Sequence, residues 1–208
     1  MDVETRDHWW WRPGWRPGRS FYTWHFLMED QPALHTFVQR VRPALEAVTA
    51  LDPIPSRWLH MTTQGVGFAD EVSQEDLTTI SAEVAGQLAE LDPIATRLGP
   101  LTTDAEGVHL PADPTEAFVR VRAAIRTGIG QVWGADRVPE AEQEFHPHVS
   151  LAYANTDGEL LRLIRQALDE YRESVPVTLD RVSLIALNRD EGQYRWRTVA
   201  TLRLGICR

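Results

Sequence analysis

The chain has 208 residues, 43% of them hydrophobic, and a formal net charge of −9; this supplies the core of one compact domain or two small fused lobes, and excludes broad binding to duplex nucleic acid, which is held largely by phosphate neutralisation. No apolar run approaches the ~20 residues that span a bilayer, and residues 1–7 lack the apolar heart of a secretory signal. The single cysteine, Cys207, excludes an internal disulfide and a cysteine-rich zinc site, so a cytoplasmic protein with no membrane partner is expected, its oligomeric state left open.

Residues 1–19 read as a Trp/Arg-rich N-terminal extension of a single bilobal domain spanning 1–208. Trp9, Trp10, Trp11 and Trp15 are interspersed there with Arg6, Arg12, Arg16 and Arg19. One reading is a patch for a strand end or nucleotide. The stronger reading, given Arg12-Pro13-Gly14 and Arg16-Pro17-Gly18, is a hydrophobic strap over the protein's own surface or a dimer contact. Residues 21–27 are aromatic and β-favouring, and Gln31-Pro32 turns the chain. Residues 32–48 carry Leu34, Phe37, Val38, Val41 and Leu45 at helical spacing, with Pro43 marking a kink or break. After Pro53 and Pro55, residues 57–67 read as a strand closing on Gly65-Val66-Gly67. Ser73 caps a helix with Leu77, Ile80, Val84, Leu88 and Leu91 on its apolar side, stopped by Asp92-Pro93. Residues 94–111 hold two short strands around a hairpin, and Asp113-Pro114 opens a helix carrying Phe118, Val121, Ile125 and Ile129. Residues 145–154 are strand-like, Asp157 caps a helix that runs to Tyr171, and 175–187 and 194–204 form two strands joined by a hairpin at 188–192. Each half thus supplies a helix, a strand, a second helix and a strand pair, the pattern of two related lobes facing one another.

Two segments carry the chemistry. Trp58-Leu59-His60-Met61-Thr62-Thr63 and Phe145-His146-Pro147-His148-Val149-Ser150-Leu151 each place a histidine two residues before a hydroxyl. On a strand, side chains at i and i+2 leave the same face, so each segment presents an imidazole beside a hydroxyl while its apolar neighbours bury behind. With seven histidines in the chain, roughly one such match arises by chance, and it is the corresponding placement of both on strands that gives them weight. An unperturbed histidine titrates near ~6.5, so two facing histidines can act as base and acid at neutral pH. His60 and His148 are the candidate catalytic pair, and Thr62 and Ser150 the candidate phosphate-holding hydroxyls. His25, Tyr153 and His146 are possible cleft-lining residues. His146 and His148 also read as a metal pair, which lacks a clearly placed carboxylate. His8, His35 and His109 read as surface residues, and Glu140, Glu142 and Glu144 as a solvated loop.

Over roughly residues 20 to 204 the chain resembles the two-histidine phosphoesterase superfamily, and more narrowly bacterial 2′-5′ RNA ligase-like proteins, whose signature is two His-x-Thr/Ser motifs. The resemblance implies an α+β, bilobal two-histidine phosphoesterase fold: two pseudo-symmetric lobes of antiparallel sheet with helices outside and a central cleft. It also implies a metal-independent site without cofactor, acting on a nucleotide or RNA terminus that bears a 2′,3′-cyclic phosphate or a 2′-5′ phosphodiester. Tyr153 and Ala154 stand where the family often has a basic residue, and Thr63 where leucine is common. The alternative reading is a nucleotide- or RNA-end-binding module on the same fold, without turnover.

Overall fold

The structure is a computed structural model that describes residues 3–140 and 144–205. Its strands form two antiparallel sheets. The first runs in the order β10-β9-β1-β3, from β1 (Phe21–Leu27), β3 (His60–Phe68), β9 (Arg181–Asn188) and β10 (Arg195–Arg203). The second runs β2-β7-β6-β4-β8, from β2 (Leu51–Pro53), β4 (Ile94–Leu98), β6 (Gly107–Asp113), β7 (His148–Ala154) and β8 (Val175–Leu179), with β5 (Thr102–Asp104) on β6. Helix α1 (Pro32–Glu46) packs on β2 and β8, while α2 (Gln74–Leu88) and α3 (Glu116–Trp133) pack on each other and toward β10 and β3 respectively. The short α4 (Leu161–Ala167) lies by β5.

The helices follow the apolar spacing. Leu34, Phe37, Val38, Val41 and Leu45 of α1 are buried, and Pro43 does not interrupt it, because a proline near the last turn removes only one backbone bond. Ser73 caps α2 by accepting from the Asp76 backbone N–H at 3.0 Å. Gly128 of α3 makes the α2–α3 contact close: a Cβ there would stand 2.7 Å from the Val84 backbone nitrogen.

Three sequence expectations change. The run 175–187 is two strands in different sheets, broken at Asp180, because β8 pairs β4 and β9 pairs β1. The two lobes are therefore interleaved, each sheet drawing strands from both halves of the chain. The helix expected from Asp157 to Tyr171 is confined to Leu161–Ala167. Residues 158–161 instead pair with the N-terminal segment, through Gly158 N–H to Thr5 O at 3.0 Å, Leu161 N–H to Val3 O at 3.1 Å and a bridge between Glu4 and Leu160. The two motif strands start late: Ser56–Trp58 is a 3-10 turn, so β3 begins at His60, and β7 begins at His148. Both histidines are thus first residues of their strands. Glu142 and Cys207 lie outside the described residues.

The Trp/Arg-rich segment is a strap on the protein's own surface. Its backbone is pinned by Thr5 N–H to Glu159 O at 2.7 Å, Arg6 N–H to Ala105 O at 2.7 Å and His8 N–H to Ala154 O at 2.9 Å. Among the described residues no helix is long and apolar enough to cross a membrane.

Candidate active site

The two motif strands meet at a cavity of about 310 Å³ whose walls include His60, Thr62, His148 and Ser150. The two sides are built alike. On β3, Thr62 lies opposite His25 of β1; on β7, Ser150 lies opposite His109 of β6. Immediately after each hydroxyl the pairing slips, since Trp24 faces Gln64 and Val108 faces Ala152, leaving Thr63 and Leu151 as the extra residues of two bulges. A bulge re-aims the side chains beyond it. Strict alternation from His148 and Ser150 would turn Ala152 toward the cavity, and the bulge turns Tyr153 there instead.

The two imidazoles are held in the same way. His60 Nδ1 lies 2.8 Å from the Trp58 carbonyl oxygen and His148 Nδ1 lies 2.7 Å from that of His146. A carbonyl only accepts, so each Nδ1 carries the proton and donates it, and the neutral ring keeps an unprotonated Nε2 for the cavity. Their surroundings differ. His60 stacks on His25 with ring centroids 4.6 Å apart at 5°, and Trp196 and Tyr194 stand edge-on to it at 5.2 and 6.0 Å. Burial pushes its pKa down to about 4, and the charge of His148 adds to that. His148 is more open. Burial lowers it too, but the His146 carbonyl and the carboxylate of Asp104 favour its charged form. Asp104 also holds His109 Nε2 at 3.1 Å, and the His109 ring lies 4.9 Å from His148.

Of the possible lining residues, Tyr153 is in the wall, its phenol pushed up by burial and bonded to Ser150. His25 is not in the wall. It is 1% exposed behind His60, with Nε2 3.2 Å from the Thr62 hydroxyl, so it backs the site. His146 is not in the wall either: its side chain is 75% exposed and meets Glu144 at 3.3 Å, so only its carbonyl serves the site. His146 precedes β7, which begins at His148, so the i, i+2 rule of a strand does not hold the two rings on one face. Among the described residues no group of three or more His, Cys, Asp or Glu is placed to hold a metal ion.

Six wall residues were not placed in the site from sequence: His8, Asp104, Glu106, His109, Leu187 and Tyr194. His109 is a cavity residue and not a surface one, because it faces Ser150; its position between buried Val108 and Leu110 on a strand was the available signal. His8 is buried, not exposed: it stacks on Tyr153 at 4.0 Å and 15°, and its ring nitrogens lie 3.0 Å from Glu106 and 3.0 Å from the Tyr194 hydroxyl. Glu106 and Asp104 come from the β5–β6 hairpin, and nothing local marks them. His35 is half-buried on α1 and bonded to the Met28 carbonyl.

Two lobes of antiparallel sheet that bring a His-x-hydroxyl strand each to one cavity are the architecture of the two-histidine phosphoesterases. Comparison with known proteins agrees with that class. The chain belongs to the 2′-5′ RNA ligase superfamily, whose family model matches residues 30–191. The fold is similar to that of TT0787 of Thermus thermophilus, with a TM-score of 0.65 at 20% identity over 89% of this chain and 97% of that one. It is also similar to E. coli LigT, in the apo form (TM-score 0.62, 13% identity, 90% of this chain and 99% of LigT) and in complex with 3′-AMP (0.64, 15%, 89% and 98%). No curated protein sequence matches the chain at a significant level.

Proposed function

We propose that this protein is a cytoplasmic, metal-independent phosphodiesterase of nucleotide or RNA ends, of the 2′,3′-cyclic phosphodiesterase or 2′-5′ RNA ligase type. The observation that carries the reading is the matched pair of imidazoles, each tethered through Nδ1 so that Nε2 serves one shared cavity. The nucleotide and phosphate complexes described for E. coli LigT are consistent with a ligand of that chemistry.

His60 is the base. Its buried, carboxylate-free surroundings keep it neutral, with Nε2 open to accept a proton. His148 is the acid, since the His146 carbonyl and Asp104 favour its imidazolium. In hydrolysis of a cyclic phosphate, His60 Nε2 takes a proton from water as the water oxygen bonds to phosphorus. The bond from phosphorus to one ribose oxygen breaks, and that oxygen takes the proton of His148 Nε2. Ligation is the reverse, with the roles exchanged. Thr62 and Ser150 hold the non-bridging oxygens, with Thr62 set by His25 and Ser150 by Tyr153.

The test is steady-state turnover of 2′,3′-cyclic mononucleotides and cyclic-phosphate oligonucleotides. His60→Ala and His148→Ala should each lower kcat by about 10²- to 10⁴-fold, and a chelator should leave the wild-type rate unchanged. Turnover retained in either variant overturns the assignment. Binding without product in the wild-type protein would make it a binding module.

A further inference from the structure

The cavity is poor in positive charge for a site that receives a phosphodiester. Burial disfavours the charged forms of His60, His148 and His8, and the wall also carries the carboxylates of Asp104 and Glu106. Among the described wall residues one side chain is a lysine or arginine, and it is Arg12. It comes from the strap, outside the residues 30–191 that the family model covers.

The other strap arginines are spent or turned away. Arg19 pairs with Asp70 and Glu71, and Arg16 with Asp70 at 3.0 Å. Arg6 lies outside the wall, over the Trp10 ring at 4.4 Å and 3.9 Å from a Glu106 carboxylate oxygen. Arg12 is held without being used up. One Nη reaches Glu106 at 2.5 Å and the other the Tyr194 hydroxyl at 3.4 Å, while the side chain stays 32% exposed. A guanidinium has five N–H donors in a fixed fork, so donors remain for a ligand. The backbone bonds of residues 5, 6 and 8 fix the entry of the strap, and Arg189 closes it from behind, donating to the His8 carbonyl at 2.9 Å. Arg12 is therefore a positioned cation and not a loose arm.

We infer that Arg12 is the cationic contact of the phosphate site, which makes the strap part of the substrate-binding cleft of this chain. The ligand class is a phosphate-bearing group, either the diester of the substrate or free phosphate. The inference rests on the cleft assignment above. It adds that affinity in this protein depends on a segment outside the matched family region.

The experiment compares full-length wild type with Arg12→Ala, Arg12→Lys, Arg12→Gln and, as a basic control on the same segment, Arg16→Ala, whose partner Asp70 is outside the wall. Readouts are KM and kcat on a 2′,3′-cyclic mononucleotide, and the dissociation constant of inorganic phosphate followed by tryptophan fluorescence. Arg12→Ala should raise KM and the phosphate dissociation constant about tenfold or more, with the smaller effect on kcat. Arg12→Lys should recover part of the loss, and Arg16→Ala should stay within about twofold of wild type. If Arg12→Ala does not fold, Arg12→Gln, which can still bond Glu106, replaces it. Wild-type values for KM and phosphate affinity in the Arg12 variants would overturn the inference while leaving the catalytic reading intact. If the wild type binds phosphate but turns nothing over, the catalytic reading fails and the phosphate titration alone decides on Arg12. A wild type that neither turns over nor binds phosphate would overturn both.

Discussion

His60 and His148 share a tether and differ in company, and that difference sets a pH dependence. Catalysis in the proposed direction needs His60 neutral and His148 protonated. His60 is neutral above about 4, and His148 is protonated only below a pKa that burial has moved under the ordinary 6.5. The profile of kcat/KM should therefore be a bell on the acid side, its alkaline limb already falling below the ordinary histidine value of ~6.5. Asp104→Asn removes a charge that favours the His148 imidazolium, so the alkaline limb should move to still lower pH. A flat profile from pH 6 to 9 would contradict the assignment of acid and base. At this scale the sequence was most legible where the signal was local. The spacing of His60 with Thr62 and of His148 with Ser150 survives folding because it lies within single strands. His8, Glu106 and Arg12 reach the same cavity only through pairing of distant segments, and no spacing along the chain encodes that.

Elements built on apolar periodicity were readable, and those governed by pairing were not. Helices α1, α2 and α3 follow their buried positions closely, whereas the start of α4 yields to the strap, which claims residues 158–161 as an extended partner. The break at Asp180 was marked only by a slip of phase, since the apolar buried positions are 175, 177 and 179 before it and 182 and 184 just after it. The α2–α3 contact offers a paired test of packing. An added methyl at Gly128 would meet Val84 atoms at 2.6 to 2.9 Å, backbone included, while at Gly86 on α2 it would meet nothing within 4 Å. Gly128→Ala should lower stability by about 1–3 kcal/mol through overpacking, and Gly86→Ala should be neutral or raise it by up to about 1 kcal/mol. Urea denaturation of the two variants reads both. Equal midpoints would show that the helix pair relaxes freely.

For the whole molecule, buried neutral histidines couple stability to pH. Burial depresses the pKa values of His8, His25 and His60. The unfolded chain takes up protons near 6.5 that these sites refuse in the folded state, so their contribution is full above that pH and is lost as pH falls toward and through about 4. The urea midpoint should hold above pH 7 and decline steadily between about pH 6.5 and pH 4.5. A midpoint unchanged from pH 7.5 to pH 5 would mean that these rings are not held neutral by burial. The interleaving of the two sheets bears on how the chain is made. The partner of β1 on its far side is β9, so during synthesis the aromatic strand 21–27 waits with one edge open until residues near 190 leave the ribosome. The lobe that carries His60 is consequently the last to close, and a message or nascent chain cut short before β9 would release a sticky half-sheet with no latent activity.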